Sequence, residues 1–344
     1  MTRLPAEALA EAPPAGQVEA ERARRRIVPS FVTVVLTRVA WGIPVLLCVS
    51  FLIFALMDLA PGDLARQILG DQATDEQVAK MRAELGLDRS LPARWWDWLG
   101  GAVHGDFGVS LISGQSVGDR IQSALAPTLS LALLALGAAV VLATAAGCLA
   151  ALRPDGVIDR LVTLLAALGI TIPSFWLALV LINLFAIKLG WLPAVGYVGI
   201  TDNPGAWLSH LVLPTASLTM LTTGELARYL RGTMRDELEK DYVLAARLHG
   251  LPMPRVVFKH ALKNAAIPVV TVIGLRFTTL LGGTIIVEQI FAIRGMGWIT
   301  VDAVLTQDYP VVLGVVVVAT TLVLVVNTLV DLSYSYFNPK LRKS

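Results

Sequence analysis

The side chains that could do catalytic or metal chemistry are few and scattered. No histidine is spaced with a cysteine or carboxylate as metal ligands are, the four being His104, His210, His249 and His260. The sequence has no G-x-x-x-x-G-K-[ST] segment, whose backbone would cradle nucleotide phosphates. We therefore predict that the chain is not an enzyme and holds no metal or cofactor. Any ATP-driven step would use ATP and Mg on separate chains.

A mechanical pattern stands out in residues 241–268, DYVLAARLHGLPMPRVVFKHALKNAAIP. Tyr242–His249 can form about two helical turns, and Ala245 and Ala246 leave room for another surface to approach. Gly250 should end the helix, because glycine tolerates the left-handed turn conformation, and two following prolines delay a new helix until about Arg255. A short helix held by such a turn can push against a soluble partner. The alternative is an ordinary basic loop.

Two charged residues fall within or beside apolar stretches, where charge is costly and usually faces a cavity or a partner. Arg276 lies nine residues after Ile267, roughly 14 Å along a helix axis and so near mid-bilayer. It could line a pathway or pair with a carboxylate on another helix. Glu225 could pair locally with Arg228, one turn away. Pro173 and Pro214 should kink their helices, either to shape a gate or merely for packing.

These residues need a membrane-embedded scaffold to position them. The 344-residue chain is 55% hydrophobic and 16% charged, with a mean hydropathy of +0.68, whereas soluble domains carry about 25% charged residues. The net charge of only +2 argues against nucleic-acid binding. Apolar stretches long enough to cross a bilayer predict six transmembrane helices: Val39–Met57, Ile121–Leu152, Leu161–Ile187, Asn203–Gly224, Asn264–Val287 and Tyr309–Val330.

Lysine and arginine placement predicts the orientation. With the N-terminus in the cytoplasm, 19 of the 28 basic residues fall on the cytoplasmic side. Both termini are then cytoplasmic. The expected domains are a disordered basic tail (1–37), a first transmembrane helix (38–60), an external loop domain (61–126), a transmembrane core (127–338) with a loop at 231–263, and a cytoplasmic tail (339–344).

The external segment should contain two short helices. Thr74 and Gln77 form a capping box that begins a helix running to about Leu85 and stopping at Gly86. A second helix around Arg94–Val103 carries three tryptophans. Tryptophan favours the membrane interface, and packing beneath a surface loop is the alternative.

Several short motifs occur in one order over about 300 residues: APGD (60–63), LGLD (85–88), GDFGVS (105–110), IPSF (172–175), GWLP (190–193), DYV-x₂-AR-x₂-GL (241–251), GG-x₃-VE-x-IF (282–291), DYP (308–310) and D-x₂-Y-x₃-NP (331–339). In this order they resemble the permease subunits of dipeptide, oligopeptide and nickel ABC importers. The 241–268 segment is similar to their "EAA" loop, with Leu244 where that name implies Glu. Arg294 stands where the family usually has Pro.

The resemblance implies an all-α type I importer fold in the cell's inner membrane. It also implies a second homologous permease chain, two cytoplasmic ATPase subunits and an external solute-binding protein. The expected ATPase-coupling residues are Tyr242, Ala245, Ala246, Arg247, Gly250 and Leu251. The expected pathway residues are Arg276, Glu225 and Pro173, and those of the external mouth are Glu288, Arg294, Gly295 and Gly297.

The cargo would be dipeptides or oligopeptides, with nickel chelates or glutathione as alternatives. An ATP-independent secondary transporter is the rival class, although no internal repeat supports it. A membrane-embedded enzyme would need clustered catalytic groups, and an exporter would not need the coupling and external loops.

Overall fold

The computed structural model describes residues 31–59, 64–70 and 72–337, which are mainly helical. The predicted tails and the APGD motif therefore lie wholly or largely outside the described residues. In chain order the helices are α1 (Phe31–Asp58), α2 (Leu64–Leu69), α3 (Asp75–Glu84), α4 (Leu91–Val103), α5 (Val117–Leu152), α6 (Val157–Thr171), α7 (Ser174–Leu181), π1 (Ile182–Lys188, a π-helix), α8 (Pro204–Leu238), α9 (Asp241–Leu248), α10 (Met253–Arg255), π2 (Val256–Ala261, a π-helix), α11 (Leu262–Ile290), α12 (Met296–Leu305) and α13 (Tyr309–Phe337).

Within the described ranges, four single helices are long and apolar enough to cross a membrane: α1, α5, α11 and α13. A fifth span is the pair formed by α6 and α7 with π1. The sequence predicted one span over 161–187 with a kink at Pro173, and the pair bends by 99° around Ile172 and Pro173. The sixth candidate, α8, has 35 residues and runs past Gly224 and past Tyr229, toward which the span was expected to extend. It is more polar than the others, since its last third carries charged residues.

The core is built on α5 and α8, which pack along much of their length, with α11 against both. Apolar residues of these helices and of α7 form the main buried cluster, including Leu131, Ala178, Leu211 and Val287. Glycines bring α6 and α8 close together. A Cβ on Gly224 would lie 2.6 Å from the Ala166 carbonyl oxygen. Small residues at helix contacts are the usual means of tight packing within membranes.

Helix α1 lies at the side of this core and packs mainly against α13. Gly42 of α1 admits the Leu324 side chain, and Arg38 forms an ion pair with Asp331. The predicted capping box of α3 is present, and α3 is capped at its C-terminal end by Leu85, with Gly86 in the left-handed region as expected.

Two motifs far apart in sequence meet where the loop before α5 touches the turn between α12 and α13. The buried Asp308 carboxylate accepts hydrogen bonds from the Ser110 hydroxyl at 2.5 Å and the Leu111 N–H at 3.1 Å. Arg120 bridges Asp308 and Asp302 at 3.2 and 3.3 Å. The GDFGVS and DYP segments are therefore one structural unit.

Candidate functional site

Helix α9 is a separate two-turn helix, ended by glycine as the sequence predicted. The backbone of Lys240 is extended, so α8 and α9 are separate helices. At the other end, the Leu251 N–H donates to the Ala246 carbonyl at 3.2 Å and the Gly250 N–H to the Arg247 carbonyl at 2.9 Å. These are the two bonds of a Schellman turn. Gly250 has a φ of +75° with open space around it, so conformation, not volume, requires glycine here.

A hydrogen-bonded anchor fixes α9 to its neighbours. The Tyr242 hydroxyl donates to the Glu237 carboxylate of α8 at 2.7 Å and accepts from the Asn264 amide of α11 at 3.2 Å. Lys240 also pairs with Glu237, and Val243 is completely buried. Force applied to α9 would therefore reach both α8 and α11. The sequence drew attention to Tyr242 but not to Glu237 or Asn264.

The anchor fixes the protonation of its members. Burial alone would raise the pKa of Glu237, but the hydrogen bonds from Lys240 and Tyr242 outweigh it and lower that pKa below its usual range. Burial, together with donation to Glu237, raises the pKa of Tyr242. At neutral pH the pair is an ionised carboxylate and a protonated phenol, which is the combination that this hydrogen bond requires.

The free face of α9 is apolar. Leu244 and Leu248 lie one turn apart, and the Leu248 side chain is 80% exposed. Ala245 and Arg247 are also exposed, whereas Ala246 and Leu251 are half-buried. Exposed apolar side chains on a short polar-flanked helix are typical of a protein contact. Sequence reasoning missed the two leucines, although their i, i+4 spacing could have revealed them.

A second ion pair braces the same end of the molecule. Arg231 of α8 contacts both carboxylate oxygens of Asp159, which begins α6, with Nη2–Oδ2 at 2.7 Å. Asp159 is buried and also accepts from the Asp155 N–H at 2.9 Å. The brace lies two turns before the end of α8 and was not predicted. No local sequence signal joins residues 72 positions apart.

The two charged pathway candidates contact each other. Arg276 Nη1 of α11 lies 2.7 Å from Glu225 Oε2 of α8, and their side chains are 30% and 23% exposed. Glu225 therefore pairs across helices, and its expected local pairing with Arg228 was wrong. Among the described residues, Arg276 Nε is buried and has no hydrogen-bond partner. The guanidinium is thus only partly satisfied.

The two prolines behave differently. Pro173 lies at the extended break between α6 and α7, where the bend is. Pro214 lies buried within α8, which continues without interruption through it. Pro173 therefore redirects the chain beside the Gly169–Met220 and Ala166–Gly224 contacts.

The external-mouth candidates form a buried turn. The Glu288 carboxylate is fully buried, accepts from the Thr128 hydroxyl of α5 at 2.6 Å and accepts from the Trp298 N–H at 2.9 Å. A Cβ on Gly295 would lie 2.5 Å from this carboxyl group, and one on Gly297 would collide with Ile285. Glu288 is therefore inaccessible in this conformation.

Arg294 is the accessible member of this group. It lies over the Trp298 ring, with Cζ 5.8 Å from the centroid. Thr128, missed from sequence, also accepts from the Met296 N–H at 2.7 Å and so holds the turn to α5.

A long apolar groove of about 680 Å³ runs between α5, α6 and α8. Its walls include small residues such as Ala138, Ala216 and Gly224. Within it, the buried hydroxyls of Thr215 and Thr223 find no hydrogen-bond partner in the described chain.

Two family models match the chain in sequence order. One, "Binding-protein-dependent transport system inner membrane component", matches residues 143–343, and its N-terminal counterpart matches residues 31–132. The chain belongs to this permease family. The permease is thus a non-catalytic, multi-pass inner-membrane component of an ABC importer, a class that works with ATPases and a binding protein.

Curated relatives extend over nearly the whole permease. A putative peptide transport system permease of Brucella abortus (strain 2308) is 41% identical over 308 residues, which cover 90% of this chain and 98% of the relative. A probable peptide ABC transporter permease of Sinorhizobium fredii is 38% identical with the same coverage. A glutathione transport system permease of Escherichia coli (strain K12) is 39% identical, again over 90% and 98%.

A solved structure supports the fold alone. The inward-facing MetNI methionine ABC transporter matches with a TM-score of 0.50 and 18% identity, over 63% of this chain and 96% of that one. The predicted all-α importer permease fold is thereby confirmed. The count of six spans is consistent with it.

Proposed function

We propose that this permease imports dipeptides or oligopeptides and couples to its ATPases through residues 241–251. The observation that carries the coupling role is α9 itself, which presents an exposed apolar face while its opposite face is anchored to α8 and α11. The substrate class rests on the peptide permeases of Brucella abortus and Sinorhizobium fredii. Glutathione, itself a short peptide, is the second candidate because a 39% identical relative is named for it.

The coupling residues divide into two roles. Ala245 and Arg247, joined by Leu244 and Leu248, face the ATPase, and Ala246 borders that face. Tyr242 transmits its movement, while Gly250 and Leu251 close the turn that fixes the angle of α9. When two ATPases close on ATP, movement of α9 would pass through Glu237 to α8 and through Asn264 to α11. These are the helices that carry Glu225 and Arg276.

We propose that the Glu225–Arg276 pair borders the pathway and that Pro173 sets the bend beside it. The partial exposure of both side chains and the unpartnered Arg276 Nε favour this placement.

Two variants, Arg276→Gln and the charge-reversed double variant Glu225→Arg/Arg276→Glu, distinguish a structural pair from a pair that borders the pathway. A purely structural pair would regain both assembly and normal transport on reversal. A pathway pair would regain assembly but keep an altered transport rate or peptide preference.

A second permease chain is proposed to cover the groove between α5, α6 and α8. The groove is apolar, and its small residues, among them Ala138, Ala216 and Gly224, admit the close approach of a helix. Ala216→Trp should therefore reduce co-purification of the second permease. Val141→Trp, at an exposed position of α5 outside the groove, is the matched control. Equal co-purification of both variants would contradict the placement.

The proposed orientation puts both termini and the 231–263 loop in the cytoplasm and residues 61–126 outside. The other proposed segments are 1–37, 38–60, 127–338 and 339–344, although helix α1 already begins at Phe31 and α5 at Val117. At the external mouth, Arg294 is proposed to meet cargo or the binding protein, while Glu288, Gly295 and Gly297 shape the turn beneath it.

The coupling proposal is tested by removing one hydroxyl. In the complete transporter, Tyr242→Phe deletes both hydrogen bonds of the anchor and should lower substrate-stimulated ATPase activity and uptake. Tyr229→Phe makes the same chemical change on the exposed surface of α8 and should leave both unchanged. Normal coupling in Tyr242→Phe would contradict the role of the anchor.

The proposed substrate class is tested by measuring uptake of dipeptides, longer peptides, glutathione and nickel chelates by the unmodified transporter.

A further inference from the structure

Helix α4 is fastened to the C-terminal end of the membrane-spanning helix α1. Arg94 Nη2 lies 2.6 Å from Asp58 Oδ1, and the Arg94 guanidinium stacks over the Phe54 ring with Cζ 5.4 Å from the centroid. The buried Trp95 donates its indole N–H to the Ser50 hydroxyl at 3.2 Å. These contacts place α4 beside the end of α1, where the apolar stretch Val35–Leu56 stops.

The opposite face of α4 carries an uncovered apolar stripe. Pro92, Trp96, Leu99 and Val103 follow one another at helical spacing, so they share one side of the helix. The Trp96 side chain is 62% exposed and that of Val103 is 76% exposed. The neighbouring Asp97 points elsewhere and pairs with Arg89. The helix is therefore amphipathic, and much of its apolar side is exposed at Trp96 and Val103.

The stripe continues the lipid-facing surface of α1. Phe51, which is exposed on α1, packs edge-on against Trp95 with ring centroids 5.4 Å apart. Trp95 in turn contacts Trp96 at 5.0 Å. An unbroken run of aromatic rings thus leads from the side of a transmembrane helix onto α4. Such an aromatic cluster at a span end is typical of the membrane–water interface.

A cleft adjoins the stripe, since Leu99 and Val103 also line it. It has a volume of about 350 Å³ and is apolar, lying between α1, α4 and α13 with Leu47, Leu99 and Val318 among its walls. Trp98 also lines it, and the buried indole N–H of Trp98 has no acceptor among the described residues. The cleft therefore has space for a hydrocarbon chain, and one residue of its wall carries a hydrogen-bond donor without an acceptor in the described chain.

We propose that α4 is an interfacial helix that binds phospholipid. Its stripe of Pro92, Trp96, Leu99 and Val103 lies at the boundary between headgroups and acyl chains, and the cleft takes one acyl chain whose ester carbonyl accepts from Trp98. Amphipathic helices with Trp and aliphatic residues on one face bind this boundary. Under the proposed orientation the lipid belongs to the outer leaflet. The contact would set the height of residues 61–126 above the external mouth.

The test uses single cysteines in the full chain, with Cys48 and Cys148 replaced by serine, reconstituted in phosphatidylcholine vesicles. A bimane label at Trp96→Cys should be quenched by phosphatidylcholine brominated on its acyl chains and little by iodide. A label at Asp97→Cys, the adjacent residue off the stripe, should show the reverse. Val103→Cys repeats the measurement if Trp96→Cys fails to insert.

Labels at residues 96 and 103 that respond to iodide and not to brominated lipid would overturn the proposal. A second result would also overturn it: brominated lipid does not quench the label at residue 96, and an added solute-binding protein shields that label from iodide. The stripe would then be a protein contact.

The cleft is tested separately by Trp98→Phe, which keeps an aromatic ring and removes the hydrogen-bond donor. This variant should retain less co-purified phospholipid than Trp41→Phe, at an exposed position of α1 away from the cleft. Equal retention would overturn the role of Trp98.

Discussion

At the scale of single residues, buried polar groups of this permease hold elements at fixed distances. Glu237 joins α8 to α9, Glu288 joins α11 to the turn before α12, and Asp308 joins the loop before α5 to α13. Each carboxylate accepts at least two hydrogen bonds. Burying such a group without partners would cost more than any one contact returns. These residues are therefore positions where a conservative change should have a large effect.

Gly250 gives the sharpest prediction at this scale. Gly250→Val forces a β-branched residue into the left-handed region at a cost of about 1–2 kcal/mol, so the turn after α9 should shift and uptake should be lost. Gly250→Asn should keep most uptake, because asparagine tolerates this conformation. Uptake assays with membrane-inserted protein levels measured in parallel decide the matter. Equal loss in both variants would show that side-chain volume, rather than conformation, is what matters.

Thr128 should be as important for stability. Thr128→Val keeps the shape but removes one hydrogen bond from the buried Glu288 carboxylate and the acceptor of the Met296 N–H, which should cost about 1–3 kcal/mol. Thr321→Val is the control, since the exposed Thr321 hydroxyl bonds only the Val317 carbonyl of its own helix. Thermal unfolding of the purified complex should show a clearly lower midpoint for Thr128→Val alone. Identical midpoints would mean that the turn is held by other contacts.

Glu237 gives the anchor of α9 a pH dependence. Its pKa in the folded protein is lowered, so its stabilising contribution is complete above the unfolded pKa of about 4.3 and is lost as pH falls through the folded value. A spin label at Leu251→Cys should therefore be restrained at neutral pH and gain motion only when the pH falls below the ordinary titration range of a glutamate. With Glu237→Gln added, the label should be mobile throughout. A transition near neutral pH would contradict this assignment.

At the scale of elements, close backbone approach decides how α6 and α8 pack. Gly224→Ala places a methyl group 2.6 Å from the Ala166 carbonyl oxygen, so the helices must separate at a cost of about 1–3 kcal/mol. Gly232→Ala on the same helix meets open space and should be neutral or slightly stabilising. Thermal unfolding of the two variants provides the comparison. A stable Gly224→Ala protein would show that the α6–α8 contact adapts easily.

At the scale of the whole molecule, the proposed orientation has a direct test. In intact cells and a cysteine-free background, a membrane-impermeant maleimide should label Ser90→Cys but not Glu239→Cys. Both positions are exposed in the structure, so accessibility alone cannot separate them. Permeabilised cells should label both. Labelling of Glu239→Cys alone in intact cells would invert the orientation.

The sequence by itself determined the features that depend on neighbouring residues or on motif order. Hydropathy located the spanning stretches, the Thr74–Gln77 box started α3, and Gly250 ended α9, because such signals act within a few residues. The ordered motifs identified the permease family. Of the six predicted spans, four helices and one bent pair in the described residues are long and apolar enough to cross a membrane, whereas the charged last third of α8 lowers its apolar character.

Only the tertiary structure decided which distant groups meet. Arg276 pairs with Glu225, Thr128 with Glu288, and Arg231 with Asp159. The members of each pair lie on different helices, so their contact depends on how the helices are rotated and spaced. The 99° bend at Pro173 is of the same kind. A proline only permits a break there, and the glycine-mediated approach of α6 to α8 fixes the direction that the chain takes after it.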